Sequence, residues 1–192
     1  PVTIYPLDDD GSGTPAEGTI SASGIATASG AFRIKVNGMQ SQAFVIQADD
    51  TVEEIHGAMA SAISAVIDMP VTAVGTASEC TITAKWKGTS GNDLFVEIVG
   101  DDDTGITFTT VQPTGGLVNP SIDSALAQMG DVWESLVLSC FEHDDATIAD
   151  GLQTFGNGRW GALTKKPLVA FAGCADADWS VATTFSDTRK SD

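Results

Sequence analysis

Hydrophobic positions follow two rhythms along this chain, and the change between them falls at Gly115-Gly116. Before that point alternation dominates. Phe32, Ile34 and Val36 alternate with Arg33 and Lys35, the period of two expected of a half-buried strand. Asn37-Gly38, a pair that tolerates positive φ, comes next, and residues 42–48 return with Phe44 and Ile46 on one face, so a hairpin is predicted. Residues 19–27 form a further strand, on the other side of a turn at Gly30. Thr51, with Glu54 three residues on, reads as a capping box. Behind it Val52, Ile55, Met59, Ile63 and Val66 recur at spacings of three and four, which predicts one amphipathic helix ending before Pro70 and covering the hairpin's apolar face. Residues 71–75, 80–86, 94–99 and 106–111 are rich in β-branched or aromatic side chains and are separated by Gly, Ser and Asp turns. Each predicts a strand.

Past Gly116 the pattern is different. Residues 122–129 and 146–155 have helical spacing, while residues 135–141 (SLVLSCF) and 168–172 are unbroken apolar runs. Helices alternating with buried strands predict a mostly parallel sheet. The opening VTIYPL, residues 2–7, is the candidate for its third strand, and the turn-rich DDDGSGTPAEG follows it. The expected fold is therefore α+β or α/β: a β-rich domain with one covering helix, residues 17–115, inserted into an incomplete α/β domain made of residues 1–16 and 116–192. Such insertions are tolerated because only their ends must lie close together.

Charge narrows the function. Twenty-six acidic against nine basic side chains leave a formal charge of -17, a field that repels phosphate, so neither nucleic acid nor an anionic membrane is an expected partner. The acids cluster at residues 8–10, 101–103 and 142–145, as solvated loop tips. Cys80, Cys140 and Cys174 are odd in number and widely spaced, which fits reduced thiols and no structural disulfide. No apolar run approaches the roughly 20 residues of a membrane span. A chain that opens at Pro1 and stops after SDTRKSD reads as a piece of a longer protein.

The candidate chemistry is sparse. Cys140 and His143, with Asp144 and Asp145 beyond, stand at a strand end, but a nucleophile wants a spatially separate oriented base and a zinc site wants four ligands. Asp101, Asp103 and Gly105 open like a calcium loop without its later ligands. His56 is expected to face solvent on the polar side of the helix. Trp86, Trp133, Trp160 and Trp179 are dispersed and read as packing residues, not as a sugar platform. Residues 156–161 (GNGRWG) follow a helix and read as its stop, the wrong end for cradling phosphate. No catalytic residue, no cofactor site and no metal site is assigned, and an enzyme is not expected. The alternatives are an α/β hydrolase-like enzyme or a carbohydrate-binding module.

In order along the chain, VTIYPLDDDGSGT, GTISASG, FRIKVNG, TVEEI, PVTA, ITAKWKGTSGNDL and GITFTTVQPTGGLVNPSIDSAL resemble Mu-like contractile-tail sheath proteins of phages. The most specific elements are the KGTSGND turn and the GGLVNP link, with AFRIKVNG as a third. The resemblance implies a structural subunit that polymerises as hexameric rings around an inner tail tube and contracts to drive that tube through the host envelope. It implies a place in the virion tail after assembly in the host cytoplasm, and an inserted β-rich domain that projects outward. No joining arm or tube-facing C-terminal domain is recognisable here, so the piece itself is expected to be monomeric.

Overall fold

The computed structural model describes residues 2–100, 102–142, 145–174 and 178–188 of the 192. The chain divides into two compact units, Asp9–Pro120 and Pro1–Asp8 with Ser121–Asp192.

The first unit contains β1 (Pro15–Gly24), β2 (Gly30–Val36), β3 (Met39–Gln40), β4 (Phe44–Ile46), helix α1 (Val52–Ser64), β5 (Val71–Gly75), β6 (Cys80–Lys87), β7 (Val96–Gly100) and β8 (Ile106–Thr114). One antiparallel sheet runs in the order β5-β6-β1-β8; the other is built on β2, which pairs with β3, β4 and β7. Consecutive strands β1 and β2 thus lie in different sheets. Asn37 (φ 47°) and Gly38 (φ 84°) make the predicted hairpin turn, after which Lys35 pairs with Gln40 and Phe32 with Phe44. Between those pairs Ser41 takes over the ladder. Its Oγ accepts from the Ile34 amide at 2.9 Å and its own amide donates to the Ile34 carbonyl at 2.7 Å.

The two sheets and α1 share one core. Phe32 stacks on Phe44 at 5.8 Å and meets Phe108 of β8 edge-on at 5.2 Å, an arrangement that suits the ring quadrupoles. The capping box forms in both directions: Thr51 Oγ1 accepts from the Glu54 amide at 3.3 Å, and Glu54 Oε2 accepts from the Thr51 amide at 2.9 Å. Of the predicted stripe, Ile55, Met59 and Ile63 are fully buried, joined by Ala62 and His56. The helix packs against β5 and β1 as well as the β2–β4 hairpin.

The second unit contains α2 (Asp123–Met129), β9 (Leu136–Glu142), α3 (Ala146–Trp160), β10 (Val169–Gly173) and α4 (Trp179–Thr188). The order alternates as the periodicity predicts, and β9 and β10 are parallel, with Leu136 beside Val169 and Leu138 beside Phe171. Three expectations change. Residues 2–7 form no strand: Pro6 offers no amide donor, Val2 and Ile4 are exposed, and the stretch is tied instead by Tyr5, whose hydroxyl donates to Glu134 Oε1 at 3.3 Å. The two apolar runs are not fully buried, since every second residue of β9 and all of β10 are exposed. Helix α3 also continues through Gly156 and Gly158 and ends at Trp160. Tertiary contacts outweigh the glycines' poor helix propensity. Buried Arg159 donates to the carbonyls of Gly130 (2.7 Å) and Val132 and lies 4.8 Å over the Phe155 ring.

Candidate functional site

At the neck of the Asp9–Pro120 unit three sequence-distant segments meet and are joined by polar side chains. β6 ends at Lys87 and passes into a single 3₁₀ turn, Thr89–Asp93. The entering segment, residues 10–14, and the leaving segment, residues 115–119, run beside that turn. Thr14 and Leu117 exchange backbone bonds at 3.1 and 3.2 Å, and the Thr14 carbonyl also accepts from the Gly88 amide at 3.1 Å. Thr14 Oγ1 donates to the Gly115 carbonyl at 2.9 Å.

Two asparagines close the clamp. Asn92 accepts from the Gly116 amide through Oδ1 at 2.8 Å and donates Nδ2 to the Gly116 carbonyl at 3.1 Å, the pattern of a strand partner supplied by a side chain. Asn119 Oδ1 accepts from the Thr89 amide at 2.8 Å and from Thr89 Oγ1 at 3.0 Å. Lys87 reaches the other segment, its Nζ donating to the carbonyls of Asp10 (3.3 Å) and Gly11 (3.4 Å). Hydrogen bonds from the Ser12 hydroxyl and amide hold the Asp10 carboxyl below its ordinary range. The glycines here are steric requirements: Gly88 has φ 108°, and a Cβ on it would sit 2.6 Å from Asn119 Oδ1, while a Cβ on Gly116 would sit 2.3 Å from the Gly88 carbonyl oxygen. Trp86 packs against the core, and its indole N–H donates to Ser90 Oγ at 3.0 Å.

A second side chain acts as a strand partner nearby. Gln112 of β8 accepts from the Val96 amide at 2.8 Å and donates to the Val96 carbonyl at 2.9 Å, joining the edge of the second sheet to the first.

Among the described residues, the chemical candidates of the sequence do not gather into one site. Cys140 is exposed on β9, and its partners His143 and Asp144 lie outside the described residues, as does Asp101. Asp145 serves as N-cap of α3, accepting from the Ile148 amide at 3.1 Å. Asp103 is exposed beside Gly105, and no group of three metal-ligating side chains occurs among the described residues. Cys80 is buried in the core, which pushes its thiol up to about 11 and makes it unreactive. Trp86 alone matches the packing role expected of the tryptophans; Trp133, Trp160 and Trp179 are exposed. His56 is a correction: it is fully buried, its Nε2 accepting from the Ala22 amide at 2.9 Å and its Nδ1 lying 2.9 Å from the Thr76 carbonyl. With Nε2 an acceptor, Nδ1 carries the proton and the ring is a neutral tie between α1, β1 and the end of β5. No helix is long and apolar enough to cross a membrane among the described residues.

The arrangement is that of a mixed α and β protein. Comparison with known proteins agrees with the resemblance read from the sequence. The chain is 27% identical over 190 residues to the Mu-like prophage FluMu tail sheath protein of Haemophilus influenzae, an alignment that takes in 97% of this chain. It spans 38% of that relative's length. A solved structure of the flagellar cap protein FliD D2–D3 domains from Serratia marcescens aligns with 62% of this chain and 75% of its own at 13% identity, but its TM-score of 0.24 carries no argument about fold or function. No protein-family profile matches the chain.

Proposed function

We propose that these 192 residues are part of the subunit of a contractile phage tail sheath, which polymerises as hexameric rings around the inner tail tube and contracts to drive the tube through the host envelope. Likeness to a tail sheath protein along nearly the whole chain carries this reading. In it, residues 17–115 are an inserted domain projecting outward, residues 1–16 and 116–192 are part of a discontinuous α/β domain, and the subunit ends in the virion after assembly in the host cytoplasm. The neck supports the proposal on physical grounds. A contracting sheath works by re-docking rigid bodies between two packings, and an inserted domain keeps its shape through such a change only if its two crossings are fastened to each other. Asn92, Asn119, Lys87 and the Thr14–Leu117 pair provide that fastening. The role is structural and requires no cofactor.

The test is negative-stain electron microscopy of the longer protein expressed alone, with the 192-residue chain beside it. Tubular polymers from the longer protein and monomers from the 192-residue chain are expected. A longer protein that stays dispersed under every condition that preserves its fold would count against a sheath.

A further inference from the structure

The parallel pair β9–β10 carries one face that the described residues of its own unit leave open. Leu136, Leu138 and Cys140 alternate along one side of β9, and the register sets Val169 beside Leu136 and Phe171 beside Leu138. Five apolar side chains therefore share a face. All five are exposed, Leu138 at 71%. On the opposite side Leu168, one residue before β10, is buried and lies against α3, where a Cβ on Gly156 would meet Leu168 Cδ1 at 3.7 Å, while the small Ala170 and Ala172 are exposed. Parallel strands joined through a helix are apolar on both sides and pack under cover on both. Helix α3 meets the other side at Leu168, and α4 leaves its own Trp179 and Val181 exposed. The unit is correspondingly short of a core, with only Ile122, Met129, Ile148 and Leu168 as buried apolar side chains among its described residues.

We infer that the face formed by Leu136, Leu138, Cys140, Val169 and Phe171 seats an amphipathic helix contributed by the same polypeptide from outside these 192 residues. The inference deepens the sheath-subunit reading, on which it rests for the existence of a longer chain. That relative's length is more than twice what this chain spans, at 38%. A segment of the same polypeptide meets the face at high effective concentration, an advantage that a second copy does not share. Helices are the elements that cover parallel strands, and a helix with an apolar stripe matches the paired rows of this face.

Cys140 reports the cover directly. In Cys174→Ser versions of the 192-residue chain and of the longer protein, the rate of Cys140 alkylation by iodoacetamide is measured by mass spectrometry, with Cys80 as an unreactive internal control. The expected result is a fall of roughly tenfold or more in the longer protein, independent of protein concentration, since reaction there waits on local opening. Leu138→Asp should restore the fast rate in the longer protein and leave the circular dichroism of the 192-residue chain unchanged. Equal rates in the two chains overturn the inference, as does protection that grows with concentration in either, which assigns the face to another copy. Tubes with a reactive Cys140 would leave the sheath reading standing without this one. A protected Cys140 in a longer protein that forms no tubes would do the reverse.

Discussion

At His56 the two imidazole nitrogens serve opposite roles, one donating to Thr76 and the other accepting from Ala22, and both partners are backbone groups. The space around it is fixed too: a Cβ on Gly75 would lie 2.5 Å from the His56 carbonyl oxygen, so helix and strand touch there. His56→Leu fills the volume but orphans an amide and a carbonyl, at about 1–3 kcal/mol each. We expect a loss of about 2 kcal/mol or more in urea unfolding of the Asp9–Pro120 unit, and a smaller loss for His56→Gln, whose amide both donates and accepts. An unchanged midpoint in His56→Leu would refute the tie. Glu54 gives a pH signature: bonds from the Thr51 amide and hydroxyl hold its carboxyl below the ordinary glutamate range. A depressed folded-state value means that the cap adds stability above the unfolded value and loses it as pH falls through the folded one. Carbon-13 titration should show Glu54 ionising at lower pH than a model glutamate, and Thr51→Ala should raise it. The capping box was legible because its partners are three residues apart. His56 was not, although its spacing of three and seven to Met59 and Ile63 was a signal for the buried face.

Between elements, the decisive contacts are side chains that act as strands. Asn92→Ala removes both bonds to Gly116, and Gly116→Ala forces a methyl into the Gly88 carbonyl. Each should cost about 1–2 kcal/mol, from the lost part-buried bonds or a displaced turn, with faster proteolytic cleavage in residues 115–120. Cleavage at the parental rate in both variants would remove the neck from the account. Gln112→Leu should leave the Val96 amide without its partner, read as faster hydrogen exchange at Val96 while β1 and β6 stay protected. The sequence displays every piece of the neck, including DDDGSGT, KGTSGND and GGLVNP. That these segments touch is invisible in it, because they are separated by dozens of residues and joined by bonds that follow no periodicity.

For the molecule as a whole, the paired ends of the Asp9–Pro120 unit predict that it folds when produced alone. Thr14 and Leu117 are bonded to each other, and the shared core lies between them in sequence. Its melting temperature should stay within about 5 °C of the corresponding transition in the 192-residue chain, a shift of about 1 kcal/mol at this size; an unfolded product would show that the other unit supports it. The sequence by itself determined the rhythm of elements, the hairpin turn, the capped helix, the parallel pair and the likeness to a tail sheath protein. The elements are set by local period and turn chemistry, which neighbouring residues decide, whereas the likeness rests on specific motifs in one order. Tertiary structure alone decided that β1 and β2 belong to different sheets, that VTIYPL joins no sheet, that α3 runs through its glycines, and that His56 is a buried tie. Each of those outcomes depends on which distant backbone groups are available as partners, and a buried polar group takes its partner wherever the fold brings one.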